Sequence, residues 1–397
     1  MNETITPRLR TDVLLRPFEE FDGDNRFIVA VDNRHFVVSA AVAAVLEESR
    51  SHTTLSALAA RASERLGVTV STELASQVLS EQVLSVCFHA TEQRADAECP
   101  VRLRQRVLQA SVLRPLLALA SPLFTRSAAI ALITLLVAVE LLVAARASSG
   151  ISQPLYGAQI VCAAALTMFG VLVHEVGHLT ACARFGASHG GIGLGLYWCM
   201  PVFYAEVNGA WMLPRLQRAV VDAGGVYFQC GYVLVLGVAY LVFGAPQVLE
   251  AIVWSHFLML HTLNPVLKYD GYWLLTDLAG ASNLHAQIRE CARNAWRSIR
   301  RLPQAHWPGA RPLALLGAFA GIAVAYFSYV LRMLGENIGH TASESAHRWA
   351  VHDRTPFGLW HAVGESALLA LLLVMAVSLS FLLARSINRI GKDSQAT

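Results

Sequence analysis

The sequence predicts a mainly α protein: a polytopic membrane helix bundle of about six spans, preceded by a small α+β cytoplasmic domain. Three observations carry this expectation. Of the 397 residues, 55% are hydrophobic and only 15% charged. Mean hydropathy is +0.46, as in a membrane protein with some soluble sequence. The apolar residues gather into stretches at about 127–145, 157–180, 226–244, 248–263, 313–333 and 364–384, most long enough to cross ~30 Å of hydrocarbon. Residues 1–95, by contrast, read as soluble sequence, with short alternating segments followed by amphipathic ones.

Within 1–95, Asp12–Pro17, Arg26–Asp32 and Arg34–Val38 have the alternation and β-branched content of strands, with Asp22-Gly23-Asp24-Asn25 as a turn. Helical patterns follow over Ser39–Ser49, which opens at a Ser cap, Thr54–Leu66, with Leu55, Leu58 and Leu66 on one face, and Ser71–Cys87, which repeats Leu74, Val78 and Val83. Three strands and then three helices make a winged-helix-like unit. A basic linker, 96–126, contains VRLRQRVLQ and leads to the transmembrane domain, 127–385, and a tail, 386–397. The polar opening MNETITPRLRTDVLLRPFEEF lacks the apolar core of a cleavable signal. The fourth stretch is short and ends at Asn264-Pro265, as a partial crossing would.

Arginines orient the set. Arg102, Arg104, Arg106, Arg114 and Arg126 precede the first span. Arg289, Arg293, Arg297, Arg300, Arg301 and Arg311 precede the fifth, and Arg385, Arg389 and Lys392 follow the sixth. The positive-inside rule places all three groups on the cytoplasmic side of the inner (plasma) membrane, so both termini are expected there and 334–363 is expected as an outer loop. A formal charge of +3 gives no case for nucleic acid. The 7 cysteines form no CxxC pair and no disulfide framework.

His174-Glu175-Val176-Gly177-His178 ends the second span. Two imidazoles at i and i+4 share one helix face and can grip one zinc ion, with the intervening Glu placed as general base. A chance pair of hydrogen-bonded histidines is the plain alternative. Ionisable residues inside a span are costly, however, and mark function. His178 precedes Arg184 by roughly 9 Å of helix, so the zinc would lie near the inner face. A catalytic zinc needs a third protein ligand. Asp270 is favoured, since Asn264-Pro265 breaks the helix and irregular backbone at membrane depth must line an enclosed site. Glu206, at the spacing of thermolysin-type enzymes, and His189 stay open as alternatives. His256 and His261 on the fourth stretch could face the metal cavity but read better as packed, hydrogen-bonded histidines, and His340, His347, His352 and His361 in the expected outer loop fit no standard metal spacing. The 185–222 stretch, rich in Gly, β-branched and aromatic residues, is a candidate edge strand for holding an extended substrate.

HEVGH closing one span and LNPVLKYDGYWLLTDL after a later one resemble the site-2 protease family of intramembrane zinc metalloproteases. With Pro201-Val202-Phe203-Tyr204, they are most similar to its peptide zinc metalloprotease branch. The resemblance covers roughly residues 155–285. It implies one catalytic Zn2+ on His174, His178 and Asp270, Glu175 as base, and Asn264 holding the substrate backbone or stabilising the oxyanion. Many relatives carry Gly-Pro-x-x-Asn on the third core helix; this chain reads Ala223-Gly224-Gly225-Val226-Tyr227-Phe228-Gln229, leaving Gln229 as the candidate for the missing Asn.

The N-terminal unit resembles, more loosely, the winged-helix peptide-recognition domain of ribosomal-peptide maturation systems, including pyrroloquinoline-quinone biosynthesis. That resemblance implies that a leader peptide adds a strand beside Arg34, His35, Phe36, Val37 and Val38 and packs on the helix of Ala40–Leu46. The expected function is therefore a membrane-embedded zinc endopeptidase that removes the leader of a ribosomally made precursor peptide. Two alternatives are cleavage of a single-span membrane regulator and a non-catalytic peptide-binding export or immunity component. An intact Glu175 argues against the last, because a structural zinc needs no general base.

Overall fold

The computed structural model describes residues 6–19, 25–32, 34–51, 54–80, 85–88, 101–148, 157–197, 200–281, 284–299 and 310–351. They fall into two compact units, Met1–Ser282 and Asn283–Thr397.

The first unit opens with an antiparallel meander: β1 (Leu14–Glu19), β2 (Asn25–Val31) and β3 (Arg34–Ser39). β2 lies in the middle, and Ile28, Val29, Ala30 and Val31 are all buried. The tight β2–β3 connection places Asp32 at φ +48°, a left-handed position that Asp tolerates better than most residues. Arg10 holds Asp32 through two hydrogen bonds of 2.6 and 2.7 Å. Three helices cover the sheet: α1 (Ala40–Glu48), α2 (Leu55–Leu66) and α3 (Thr72–Ser80). Ser39 caps the first helix by accepting from the Val42 N–H, as the sequence predicts, and Thr54 caps the second by accepting from the Ala57 N–H. Val29, Val31, Val45, Leu46, Leu58, Ala62, Ala75 and Val78 form their common core. The third helix is shorter than expected. Among the described residues it runs to Ser80, and Ser85–Cys87 is a 3-10 turn.

The basic segment at 96–126 is not a plain linker. Val101–Leu108 forms β4, which pairs with β5 (Ile192–Tyr197), which in turn pairs with β6 (Met200–Ala205). β6 is thus an edge strand. The apolar helix α4 (Ala110–Ala120) follows β4 and buries Leu113 and Leu117 against Leu179 and Ile192.

Among the described residues, four helices are long and apolar enough to cross a membrane. These are α5 (Arg126–Ser148), α6 (Ala158–Arg184), α7 (Arg215–Phe243, entered through the 3-10 turn Asn208–Met212) and the Leu313–Met333 part of a later helix. The fourth expected stretch forms α8 (Pro246–Thr262), whose 17 residues sit at the short end of what can cross a membrane. A short helix, α9 (Asp270–Ala279), completes the first unit. In the second unit, the amphipathic helix α10 (Leu284–Ile299) precedes α11 (Ala310–Val351), and His285 packs edge-to-face on Phe319 at 5.5 Å. α11 corrects the expected outer loop: the backbone stays helical through Val351. The sixth expected span, with His352 and His361, lies outside the described residues.

The close contact of α6 and α7 sets the site. Gly177 lies against the Gly224 backbone, and a Cβ on Gly177 would overlap the Gly224 carbonyl. Small residues at a crossing let two helices approach backbone to backbone. That approach brings the HEVGH face of α6 within reach of side chains on α7.

Candidate metal centre

α6 carries His174, Glu175 and His178 into the interior, at 6%, 8% and 7% exposure. The two imidazoles meet edge to face with their Nε2 atoms 3.1 Å apart. Asp270 Oδ2 lies 2.8 Å from His174 Nε2 and 3.1 Å from His178 Nε2. The backbone after α8 explains how a carboxylate from a distant segment arrives there. Asn264 Oδ1 accepts from the Val266 N–H at 2.8 Å, turning the chain at Pro265, and the Tyr269 N–H donates to the Leu267 carbonyl at 2.7 Å. α9 then begins at Asp270, where the helix dipole favours a negative charge. Gly271 seats this first turn directly on the Leu263 carbonyl, where a side chain would not fit.

A second layer orients both imidazoles. His178 Nδ1 donates to the Val221 carbonyl at 2.8 Å, and His174 Nδ1 pairs with Gln229 Oε1 at 3.2 Å. A carbonyl oxygen can only accept, so each ring keeps its proton on Nδ1 and offers the Nε2 lone pair. His174, His178 and Asp270 thus form a group whose ligand atoms all lie within 4.8 Å of one another, able to hold a metal ion. The set fits zinc: two imidazole nitrogens and one carboxylate oxygen, with spacings near the ~3.3 Å expected for ligands ~2.05 Å from a tetrahedral ion. Gly225 backs the group. A Cβ there would overlap both Nε2 atoms, so only a residue without a side chain leaves room at this wall. The Glu175 carboxyl lies near the Ala205 N–H at the end of β6.

The other sequence candidates lie elsewhere. Glu206 pairs with Arg106 at 2.7 Å and accepts from the Gly191 N–H at 3.4 Å, tying β4 to the hairpin instead of joining the ligand group. His189 Nδ1 bonds the Gly190 carbonyl. His256 bonds the Ile252 carbonyl and lies 3.8 Å from Glu140, while His261 stacks on Phe257. Arg34, His35, Phe36, Val37 and Val38 occupy β3, the edge of the N-terminal sheet. Phe36 and Val38 pack on the core and Val37 is 36% exposed. Burial pushes the His35 imidazole down to about 4, so this strand presents a neutral ring at pH 7. Sequence reasoning missed Gly225 as the wall of the site and the Val221 carbonyl as a histidine anchor. The Gly224-Gly225 pair beside an HExxH helix was the available signal.

Gln229 is 2% exposed and its amide oxygen holds His174. Gln229→Leu keeps the volume and removes that acceptor, so it should weaken zinc affinity about ten- to a hundredfold, read by chelator competition. An unchanged affinity would remove Gln229 from the site's supporting shell.

Fold and site together define a membrane protein with a buried His-His-Asp group able to hold a metal ion. The chain is similar to the protein named "Putative peptide zinc metalloprotease protein YydH" of Bacillus subtilis (strain 168), with 25% identity over 132 residues. The match covers 32% of this chain and 52% of the relative, so the chain spans about half the length of the curated relative it matches. No protein-family profile matches the chain, and no solved structure does.

Proposed function

We propose that this chain is a membrane-embedded zinc endopeptidase that matures a ribosomally made precursor peptide. One observation carries the reading: His174, His178 and Asp270 converge in the interior with the Glu175 carboxyl on the adjacent position of the same helix. The relative's name, a peptide zinc metalloprotease, supports the same class. Zinc bound by the three residues would polarise the scissile carbonyl and bring a bound water's pKa toward ~7.

The residues' own roles follow from their positions. Glu175 takes the proton of the attacking water and delivers it to the leaving amine. Gln229 and Val221 keep both imidazoles in the ligating tautomer. Asn264 spends its side-chain oxygen on the local turn, leaving its NH2 as the group to meet the substrate backbone or the oxyanion. A peptide must be extended to expose its carbonyl. The edge strand β6, ending beside Glu175, gives it a backbone to pair with.

In this reading the N-terminal unit is a winged-helix-like leader-binding domain, with the leader as a fourth strand beside Arg34–Val38 and against α1. The edge position of β3 supports that role. The membrane domain makes six crossings with both termini cytoplasmic, in keeping with the arginine distribution. Glu175→Gln tests the chemistry. It keeps the shape and loses the base, and should lower cleavage of a precursor peptide at least about a hundredfold while zinc stays bound. Cleavage at the wild-type rate would end the protease reading.

A further inference from the structure

The N-terminal sheet rests on the helix layer that holds the third ligand. Phe18 of β1 is 4% exposed, and the Arg218 guanidinium lies 4.8 Å from its ring centroid. Nearby, Arg16 Nη1 donates to the Met212 carbonyl at 3.1 Å. Arg218 is itself 5% exposed and is held by α9 and the Leu213 carbonyl. Its Nε donates to Asp277 Oδ1 at 2.9 Å, its Nη2 pairs with the same oxygen at 2.8 Å, and its Nη1 donates to the Leu213 carbonyl at 3.1 Å. Asp222 on α7 lies close to Asp277, and Trp211 packs edge-to-face on Trp273 at 5.8 Å.

Asp277 lies on α9, about two turns after Asp270 and therefore on the same face. α9 has only 10 residues and is entered through an irregular segment, so little in its own chain fixes its rotation. A buried Arg–carboxylate pair contributes little net stability after desolvation, and its best-attested role is to specify register. Here the register it would specify is that of α9 against α7, which decides whether Asp270 reaches the two histidines.

We propose that Arg218 is a positioning residue for the metal ligand Asp270, acting through Asp277, and that Phe18 makes the N-terminal unit part of this support. The proposal rests on the zinc reading above. It makes the N-terminal unit more than a tether for peptide: its first strand braces the metal centre.

The test is zinc affinity of the full chain in detergent, by chelator competition, with the unfolding temperature of each metal-free variant beside it. Arg218→Gln and Asp277→Asn should weaken zinc about ten- to a hundredfold. Arg218→Lys should recover part of the loss, because it keeps the charge and gives up the planar fork. Phe18→Ala should weaken zinc about threefold or more, and adding it to Arg218→Gln should cost nothing further, because both act on one path. If Arg218→Gln and Asp277→Asn do not fold, Arg218→Lys and Phe18→Ala carry the test. Variants that melt earlier yet bind zinc with wild-type affinity would overturn the proposal, leaving the zinc reading intact if His174→Ala abolishes binding. Failure of the wild type to bind zinc would overturn both.

Discussion

Gly225→Ala should abolish zinc binding and proteolysis together, although it adds a single methyl group. That methyl would overlap the Nε2 atoms of both His174 and His178, the two nitrogens that must face the metal. Neither ring can turn away freely, since Val221 and Gln229 hold the opposite nitrogens. The expected loss of affinity exceeds the ten- to hundredfold typical of a lost outer hydrogen bond, so about a hundredfold is its lower bound. Gly231→Ala on the same helix is the control. The nearest atom to its added methyl is Leu132 Cδ1 at 3.7 Å, and zinc affinity should be unchanged. Wild-type zinc affinity in Gly225→Ala would mean that the nitrogens do not face α7 as described.

The second large effect falls on stability. Gly177→Ala drives a methyl into the Gly224 carbonyl, with Phe228 Cβ at 2.8 Å on its other side. Backbone cannot move aside as a flexible side chain can, so the cost sits at the upper end for overpacking, about 3 kcal/mol. At ~2–4 °C per kcal/mol for about 150–250 residues, and less for a longer chain, the unfolding temperature in detergent should fall by several degrees, up to about 6–12 °C. Gly317→Ala has open space around its added methyl and only the helix-propensity gain of about 0.5–1 kcal/mol, so it should shift the temperature upward. Equal behaviour of the two variants would deny the close crossing of α6 and α7.

Much of the centre was legible because its parts are short motifs with fixed geometry. HEVGH must place two imidazoles on one helix face, and Asn264-Pro265 must end a helix before Asp270. The cap at Ser39 was equally readable, since a hydroxyl at the first helical boundary has a definite partner. Other features carried weaker signals. The arginines of VRLRQRVL mark orientation and mask the alternation of a strand whose partners lie more than 80 residues away. The polar residues after Met333 looked like loop, yet Ala, Glu and Arg favour helix as readily as solvent, and α11 runs on to Val351. Gly225 gives no periodic signal at all, because its role is the absence of a side chain. The Phe18–Arg218–Asp277 contact joins three segments with no shared motif, and only the folded chain brings them together.

The most direct test of the central claim is the zinc content of detergent-purified wild type beside folded Asp270→Ala and Glu206→Ala variants. About one zinc per chain is expected in the wild type and in Glu206→Ala, with loss of tight binding in Asp270→Ala. Loss in Glu206→Ala with retention in Asp270→Ala would move the third ligand to the β-hairpin and contradict the site described here. Absence of zinc from every form, with zinc supplied throughout gentle purification, would contradict the metalloprotease reading itself.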